Sequence, residues 1–518
     1  MNRRTATVAT TAALVVVAAG ISLGLATQDG GDSAAPAPTP TRSYPLSKPP
    51  RTIPSVRHFT PAHGPGWRPA GDERVVVGDD RLVDEGRLLA GELGLRYAGR
   101  TGARAGDVEL ALDSHVRGGG EAYTLAVQGG RVRITGSADA GVFYGTRTLK
   151  QEVHGGGTAP EGVVRDAPAK PQRGFMVDIA RKPYSEGWIE DRIRELGDLK
   201  FNQLGLHFSD DQGFRIASDT HPEVVSKDHL SKAQVRRIIA LAASRHIAVV
   251  PELDSPGHLG MVIRAHPDLQ LRTGDGRVAQ GAVDISNPAA ARIVDDLLKE
   301  YAGLFPGRYW HLGGDEYVAL MSRDPEATYP QLAAAARRKY GSKGRIQDLA
   351  TGWLNGRAAT MRPYHRTLKA WNDGFFTGGR VHADRALEVA YWTGIEPEKR
   401  PPTDLLREGR RFTNYNDSYL YYVLGQPNRF RYPTGRRIYD EWTPLVLRGT
   451  KPVSSRYDRQ IQGGTFAVWG DIPSAQTEDQ VAAGVFMPLR AVSQKLWTPG
   501  RPPLSWSEFG ALARRLGD

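Results

Sequence analysis

The sequence predicts an α/β protein with a (β/α)8 TIM barrel preceded by a small α+β domain. Eight apolar, strand-like runs alternate with helical stretches between residues 167 and 518. Nearly every run ends in a polar or aromatic residue, as expected for a barrel whose site lies at the carboxyl ends of its strands. The preceding hundred residues carry shorter strand-like runs and a Gly-Gly hairpin signal.

Residues 1–28 have the features of an export signal. Asn2-Arg3-Arg4 provides a positive start, residues 12–26 form an apolar run, and Gly24-Leu25-Ala26 is a cleavage point with small residues. The apolar run is short for a membrane span of about 20 residues, which favours a cleaved signal over an uncleaved anchor. We therefore expect an extracellular protein, either secreted or tethered at the outer face of the cell membrane.

Residues 29–68 are rich in Pro, Ala and Gly, and we expect a linker that buries little apolar surface. Residues 69–166 are predicted to form the small α+β domain. Its predicted strands are 74–77, 108–112, 123–127 and 132–136, and its predicted helices are 82–93 and 138–151. The domain holds no cluster of ionisable groups, so we predict a structural role for it.

Residues 167–518 are predicted to form the TIM-barrel catalytic domain. The eight predicted strands are 175–179, 203–208, 248–253, 309–312, 368–371, 388–392, 411–415 and 465–469. Three tryptophans and many carboxylates follow these strands, and a purely structural barrel has no reason to collect them on one rim. Aromatic faces and carboxylates suit a sugar, whose C–H faces stack on Trp and whose hydroxyls need hydrogen-bonding partners.

The fourth strand leads into Gly313-Gly314-Asp315-Glu316. In an extended strand, neighbouring side chains point to opposite sides, so Asp315 and Glu316 are predicted to face apart. They are then poorly placed as the acid and nucleophile of an ordinary retaining glycosidase, whose carboxyl groups lie about 5–5.5 Å apart. One of the two carboxylates needs a different role.

Composition excludes several other classes of function. The net charge of +11 comes mainly from scattered arginines without a basic block, which disfavours nucleic acid as a partner but allows a loose association with an anionic cell surface. The absence of cysteine excludes disulfides and thiolate metal sites. There is no His pair at helical spacing and no Gly-rich phosphate loop, so we predict carboxylate chemistry with neither metal nor cofactor.

Residues 70–500 resemble glycoside hydrolase family 20, the β-N-acetylhexosaminidases, and within it the dispersin-like branch. The motifs that carry the resemblance are Asp178-Ile179-Ala180-Arg181, Leu206-His207-Phe208-Ser209-Asp210-Asp211-Gln212, Glu252-Leu253-Asp254-Ser255-Pro256-Gly257-His258, His311-Leu312-Gly313-Gly314-Asp315-Glu316, Trp371-Asn372-Asp373-Gly374 and Asn414-Tyr415-Asn416. The small domain resembles the non-catalytic N-terminal domain of that family.

The resemblance implies a role for each candidate residue. In the family the 2-acetamido oxygen of the substrate attacks the anomeric carbon and gives an oxazoline, so the protein needs no nucleophile. Glu316 would be the general acid and base, Asp315 would orient the acetamido group, and Asp210 and His258 would support the acid. The implied substrate-binding residues are Arg181 for the 3- and 4-hydroxyls, Trp371, Trp392 and Trp469 around the acetamido group, and Tyr419 or Tyr421 as donor to its oxygen.

The sequence departs from the family pattern at three places. The usual Arg-His-Phe is Arg181-Lys182-Pro183, the usual Glu after the last tryptophan is Asp471, and Tyr-Leu-Asp or Tyr-Leu-Asn is Tyr419-Leu420-Tyr421. These groups are expected around the 4- and 6-hydroxyls, so the preference between GlcNAc and GalNAc stays open.

We therefore predict an exported, monomeric exo-β-N-acetylhexosaminidase acting on a carbohydrate with a terminal β-linked N-acetylhexosamine. One alternative is a dispersin-like hydrolase of β-1,6-linked poly-N-acetylglucosamine or a disaccharide-releasing relative. Partly deacetylated forms of that polymer are cationic and would be repelled by a protein of charge +11. Another is a non-catalytic carbohydrate-binding surface protein, against which the Asp315-Glu316 pair argues.

Overall fold

The computed structural model describes residues 43–392 and 400–517. The predicted signal or anchor at 1–28, and the part of the predicted linker before residue 43, lie outside the described residues. Among the helices described, none is long and apolar enough to cross a membrane.

The small domain is built on a seven-stranded mixed sheet. Its strands are His58–Pro61, Arg74–Val77, Arg96–Tyr97, Val108–Leu112, Tyr123–Gln128, Arg131–Gly136 and Gly162–Asp166, and its helices are Val83–Leu93 and Asp139–Gly156. Tyr123–Gln128 and Arg131–Gly136 form the predicted hairpin around Gly129-Gly130, both of which have positive φ. The α+β domain predicted from the sequence is therefore present.

The first strand of this sheet, His58–Pro61, lies inside the segment 29–68 that was predicted to be a linker. It pairs antiparallel with Gly162–Asp166 at the edge of the sheet. The linker prediction is wrong for this part of the chain. A largely exposed edge strand has no apolar alternation, so only its pairing partner defines it.

The barrel consists of eight parallel strands that close on themselves, which confirms the predicted fold. We label them β1 (Gln172–Asp178), β2 (Gln203–His207), β3 (Ala248–Glu252), β4 (Tyr309–His311), β5 (Thr367–Trp371), β6 (Glu388–Tyr391), β7 (Phe412–Asn414) and β8 (Ile461–Trp469). Each pairs with the next in parallel, and β8 pairs with β1 to complete the ring. A short strand, Tyr421–Val423, pairs with the carboxyl end of β8.

Helices and short turns surround the barrel. The helices are Glu186–Asp198, Lys232–Ala243, Gly260–Ala265, Pro288–Leu304, Val318–Met321, Pro325–Thr328, Pro330–Tyr340, Ile346–Met361, Pro402–Arg407, Gly435–Glu441, Glu478–Trp497 and Trp506–Gly517. A hairpin of Gln270–Arg272 and Val278–Val283 lies outside the ring. Helix Lys232–Ala243 begins with a capping box, in which Ser231 and Gln234 satisfy each other's backbone N–H groups.

Buried ion pairs join the small domain to the barrel. The guanidinium of Arg173, in β1, pairs with Glu121 of the small domain at 2.8 Å. Arg147 of the small domain pairs in turn with Asp198 of the barrel at 3.0 Å. Both arginine side chains are 1% exposed, so each needs its partner across the interface to balance a buried charge. These contacts give a physical reason for the structural role predicted for the small domain.

Candidate active site

The segment after β4 turns through left-handed backbone and places two carboxylates in one pocket. Gly313 and Gly314 have φ of +66° and +96°, and Glu316 has φ of +44°. The strand ends at His311, so the alternation of an extended strand does not reach Asp315 and Glu316. The prediction that these side chains face apart is therefore wrong, because both line the same cavity of about 160 Å³.

Glycine is required at position 313 because Asp254 lies too close to leave room for a side chain. A Cβ at this position would lie 1.6 Å from Asp254 Oδ1. The same carboxylate oxygen accepts a hydrogen bond of 2.8 Å from the backbone N–H of Gly314. Asp254, which follows β3, thereby fixes the turn that carries Asp315 and Glu316.

His258 lies between the carboxylates of the pocket. Its Nδ1 is 3.3 Å from Asp210 Oδ1, and its Nε2 is 3.8 Å from Asp315 Oδ2 and 3.6 Å from Glu316 Oε2. Burial lowers the pKa of His258, but Asp210 and Asp315 raise it further, so that it lies well above the usual value. A positively charged imidazole therefore separates the negative groups.

Asp254 is a deeply buried carboxyl group of this cluster. Its side chain is 1% exposed, and burial together with the nearby charge of Asp315 raises the pKa of Asp254 well above the usual range. Groups of Asp210, Asp211 and His258, and of Asp254, His258 and Asp315, have donor atoms within 4.8 Å of one another. Each group has one His and two Asp, unlike the His- or Cys-rich ligand sets usual for zinc.

Arg181 forms a fixed cation on the pocket wall. Its guanidinium contacts Asp178 Oδ2 at 2.9 Å and Asp210 Oδ2 at 2.8 Å. The guanidinium also lies over the ring of Trp469, 5.5 Å from its centroid. Burial lowers the pKa of Arg181, but the two carboxylates outweigh burial and raise it. The remaining N–H groups are held in place to meet an acceptor in the pocket.

A chain of buried charges extends from Asp210 into the barrel. His207 Nε2 is 2.8 Å from Asp210 Oδ2, and His207 Nδ1 is 3.1 Å from Glu252 Oε2. The pKa of His207 is raised well above the usual value, because Glu252 and Asp210 outweigh the effect of burial. Glu252 also accepts a hydrogen bond of 2.6 Å from Trp371 Nε1. This network holds Asp210 rigidly beneath His258.

The three predicted tryptophans take two different positions. Trp392 and Trp469 line the cavity, whereas Trp371 is 1% exposed and lies beneath it, 6.0 Å from the ring of Trp469. Trp392 stacks almost parallel to Tyr421, with ring centroids 5.7 Å apart. Its Nε1 donates to Asp373 Oδ1 at 2.9 Å, which fixes the ring. Two indoles therefore form the walls and the third supports the floor.

Two family models match most of this chain. The sequence model described as "Glycosyl hydrolase family 20, catalytic domain" matches residues 171–500, and "Glycosyl hydrolase family 20, domain 2" matches residues 49–167. The first match alone covers more than half of the chain. The chain belongs to glycosyl hydrolase family 20.

Relatives within family 20 are similar over much of this chain. A lacto-N-biosidase of Bifidobacterium bifidum is 28% identical over 476 residues, 90% of this chain and 42% of that protein. A β-N-acetylhexosaminidase of Cellulomonas fimi is 30% identical over 318 residues, 56% of this chain and 62% of that protein. The chain thus spans about half the length of the curated relatives it matches.

Solved structures show the same fold. The GH20 β-N-acetylhexosaminidase from Streptomyces coelicolor A3(2) superposes with a TM-score of 0.72 at 24% identity, covering 91% of this chain and 96% of that one. An exo-β-N-acetylglucosaminidase from Vibrio harveyi superposes with a TM-score of 0.74 at 18% identity, covering 92% and 79%. The barrel and the small domain therefore follow the family 20 arrangement.

Of the two tyrosines predicted for this family 20 site, only Tyr421 lines the cavity. Tyr419 is 1% exposed, and its hydroxyl donates to Glu441 Oε2 at 2.9 Å. Tyr419 lies in the turn after Asn416, and the strand begins only at Tyr421, so the turn directs Tyr419 away from the site. The structure thus corrects the prediction that placed Tyr419 beside the substrate.

Three cavity-lining residues were missed by sequence analysis. They are Val423, Asn428 and Phe430. Asp471, which was predicted, also lines the cavity, and its side chain is exposed to solvent. Val423 follows Tyr421 by two residues in one strand, so alternation was a signal that both share a face. Asn428 and Phe430 lie in an irregular loop whose position no local pattern indicates. The supporting groups Asp254, His207 and Glu252 were part of the quoted motifs, but nothing in the sequence assigned them a role.

Proposed function

We propose that this chain is an exo-β-N-acetylhexosaminidase that releases terminal β-linked GlcNAc or GalNAc through an oxazoline intermediate. The observation that carries the proposal is the shared cavity of Asp315 and Glu316, with the cationic His258 3.8 and 3.6 Å from their carboxylates. Membership of family 20 and similarity to proteins named β-hexosaminidase give further support.

In the proposed reaction Glu316 is the general acid. Its side chain is 39% exposed, so it can reach the bond to a leaving group that extends into solvent. As the glycosidic C–O bond breaks, the proton of Glu316 passes to the leaving oxygen and the acetamido oxygen of the substrate bonds to the anomeric carbon. Glu316 then takes a proton from water, which attacks the same carbon and opens the oxazoline.

Asp315 stabilises the positive charge that develops on the acetamido group. It lines the cavity, where its carboxylate can accept a hydrogen bond from the substrate N–H. Tyr421, on the same cavity, supplies a hydroxyl for the acetamido oxygen. Trp392 and Trp469 enclose the methyl group, and Arg181 binds the outer hydroxyls.

The proposal is tested by hydrolysis of chromogenic β-GlcNAc and β-GalNAc glycosides, with a thiazoline analogue of the intermediate as inhibitor. Release of the chromophore from at least one glycoside and strong inhibition by the thiazoline are expected. Absence of hydrolysis would contradict the activity. Hydrolysis without thiazoline inhibition, or a trapped covalent glycosyl-enzyme, would contradict the oxazoline mechanism alone.

Glu316→Gln should lower turnover on a natural glycoside by about 10²–10⁴, the usual contribution of a general acid. A glycoside with an activated leaving group needs less protonation and should lose less. Steady-state kinetics with both substrates check this. Equal losses on the two substrates would contradict the role of Glu316 as acid.

A second candidate function is release of a disaccharide, as the name of the Bifidobacterium bifidum relative indicates for that protein. The specific observation in its favour is that this lacto-N-biosidase matches 90% of the chain. A chromogenic β-glycoside of lacto-N-biose, added to the hydrolysis experiment, separates the two functions. A higher kcat/KM on this glycoside than on β-GlcNAc would favour disaccharide release.

Export is part of the proposal and is supported by the sequence of residues 1–28. Arg3-Arg4 and the apolar run over residues 12–26 have the order of a signal segment. Fractionation of the native cells, with N-terminal sequencing of the protein recovered, tests it. Recovery in the medium or at the outer cell surface is expected, and an intact protein confined to the cytoplasm would refute export.

A further inference from the structure

A second group of metal-ligating side chains lies outside the sugar pocket. The donor atoms of His221, Glu223 and His266 all lie within 4.8 Å of one another. His221 Nδ1 and His266 Nε2 are each 2.9 Å from the same oxygen, Glu223 Oε1. None of the three residues lines the cavity that holds Glu316, and the proposed reaction does not use them.

The two histidines are presented by matching backbone turns. His221 and His266 each precede a proline that starts a 3-10 turn, in the segments His221-Pro222-Glu223-Val224 and His266-Pro267-Asp268-Leu269. Their backbone angles are similar, with φ and ψ of −137° and 64° for His221 and −129° and 76° for His266. Val224 and Leu269 anchor the turns in the core, being 0% and 1% exposed. The imidazoles therefore converge from two rigid supports.

The spacing of the three ligand atoms is close to that of a zinc centre. A tetrahedral zinc with bonds of about 2.0–2.1 Å holds its ligand atoms about 3.3 Å apart. Each imidazole nitrogen lies 2.9 Å from Glu223 Oε1, and all three ligand atoms lie within 4.8 Å of one another. The side chains of His221, Glu223 and His266 are 16%, 40% and 29% exposed, which leaves one side open for entry and for a water ligand. Imidazole and carboxylate are donors suited to Zn²⁺.

A carboxylate also lies behind one of the histidines. Asp296 Oδ2 is 3.9 Å from His221 Nε2, the nitrogen that does not face Glu223. Metal-binding histidines commonly direct their second nitrogen to a carboxylate, which fixes the tautomer and raises the basicity of the ligand. A small movement of Asp296 would complete that contact.

We propose that His221, Glu223 and His266 form a zinc site that ties together two loops of the barrel. The first loop follows β2, which ends at His207, and runs through Asp210 to His221. The second segment includes His258, helix Gly260–Ala265 and His266. Zinc at this point cross-links the segments that carry Asp210 and His258, so it stabilises the support of the sugar pocket without contacting the sugar.

The test is calorimetric titration of the chelator-treated chain with ZnCl2. One equivalent of zinc should bind to the wild type, and His221→Ala or His266→Ala should lower the affinity by more than about 100-fold, since even changes behind the ligands cost about 10–100-fold. His229→Ala is the matched control. His229 lies on the same loop, and its Nδ1 faces backbone carbonyls of Ser226 and Lys227, so this variant should bind like the wild type.

Two further measurements separate loss of zinc from loss of folding. Glu223→Gln keeps the shape of the side chain and should also lower the affinity, while its melting temperature in chelator should stay near that of the wild type. Co²⁺ bound in place of zinc should give the visible absorption spectrum of a four-coordinate ion in the wild type and in none of the three ligand variants. Failure of the wild type to bind one equivalent, or equal affinity in the wild type and all three ligand variants, would overturn the proposal.

Discussion

At the scale of single residues, Tyr419 and Tyr421 show how two positions of one tripeptide take separate roles. Tyr421 lines the cavity beside Trp392, and its pKa is raised well above the usual value, first by burial and then by Asp315. Tyr419 donates to Glu441 instead. A neutral Tyr421 hydroxyl next to a carboxylate is suited to donate a hydrogen bond to the acetamido oxygen of a substrate.

Tyr421→Phe should lower kcat/KM on a β-GlcNAc glycoside by about tenfold or more, because a buried donor is lost where charge develops in the reaction. Tyr419→Phe removes the other hydroxyl of the tripeptide and serves as the matched control. It should leave kcat/KM close to that of the wild type. A larger loss in Tyr419→Phe than in Tyr421→Phe would contradict the assignment.

Asp471 is the residue that we expect to set the sugar preference. It lines the cavity near Arg181 with its side chain partly exposed, and partial desolvation in the cavity raises the pKa of its carboxyl although Arg181 lowers it. Asp is one methylene shorter than the Glu usual in family 20, which leaves room for a water or an axial 4-hydroxyl. Selectivity between GlcNAc and GalNAc should therefore be weak.

Asp471→Glu should raise the preference for GlcNAc over GalNAc in kcat/KM by about 1 kcal/mol, the scale of one net hydrogen bond. The ratio of the two chromogenic glycosides measures this. Asp471→Ala, with its melting temperature, is the control for a purely structural role. An unchanged ratio in both variants would exclude Asp471 as a specificity residue.

At the scale of elements, the turn after β4 and the end of β3 form one unit. Asp254 occupies the space beside Gly313 and binds the backbone of Gly314, so the carboxyl end of one strand shapes the loop of its neighbour. Both glycines have positive φ, but they differ in surroundings. The nearest atom to a Cβ at Gly314 is Leu354 Cδ1, at 3.9 Å. The two positions therefore separate backbone strain from a steric clash.

Gly314→Ala should lower the free energy of unfolding by about 1–2 kcal/mol, the cost of left-handed backbone for an L-residue. Gly313→Ala should cost more than that and abolish hydrolysis, because its Cβ collides with Asp254 and displaces Asp315. Urea unfolding and kcat measurements on both variants check this. Similar losses in the two variants would mean that the contact with Asp254 does not fix the turn.

At the scale of the whole molecule, the charges of the pocket link stability to pH. Burial lowers the pKa of His258, but Asp210 and Asp315 raise it well above 6.5. The native state then keeps a proton that the unfolded chain loses above about pH 6.5. Holding this proton stabilises the native state. The stabilisation is fully present below about pH 6.5 and is lost as the pH rises through the raised pKa of His258.

The proton on His258 should make the free energy of unfolding of the wild type fall by about 1.4 kcal/mol per pH unit above pH 6.5. His258→Gln should lack this part of the fall. Urea unfolding at a series of pH values between 6.5 and 9 measures it. His229→Gln, at an exposed position, should keep the wild-type slope. Parallel profiles for the wild type and His258→Gln would show that His258 does not hold the extra proton.

The small domain and the barrel also depend on each other at this scale. Lys200 is fully buried, and its ammonium donates to Tyr123 and Thr148 of the small domain at 2.9 and 2.7 Å. Burial lowers the pKa of Lys200 to about 8, although Asp166 raises it. Because its partners lie on the other domain, separating the two domains would break both of these hydrogen bonds.

The barrel, its eight strands and the place of Asp315 and Glu316 after the fourth strand could be predicted from the sequence alone. Strands buried on both faces are continuous apolar runs, and the polar residues that follow them mark one rim, so both signals are local. The family motifs are also short segments. These features therefore needed no knowledge of contacts between distant residues.

How the site residues face each other depends on tertiary contacts that the sequence does not show. The left-handed turn at Gly313, Gly314 and Glu316 overrides strand alternation and brings both carboxylates into one cavity. The roles of Asp254 and of His258 arise from contacts between the ends of different strands. The edge strand His58–Pro61 likewise exists only through a partner about one hundred residues away. Such contacts leave no periodic signal in a single sequence, because they depend on where each strand stops and which strand lies beside it.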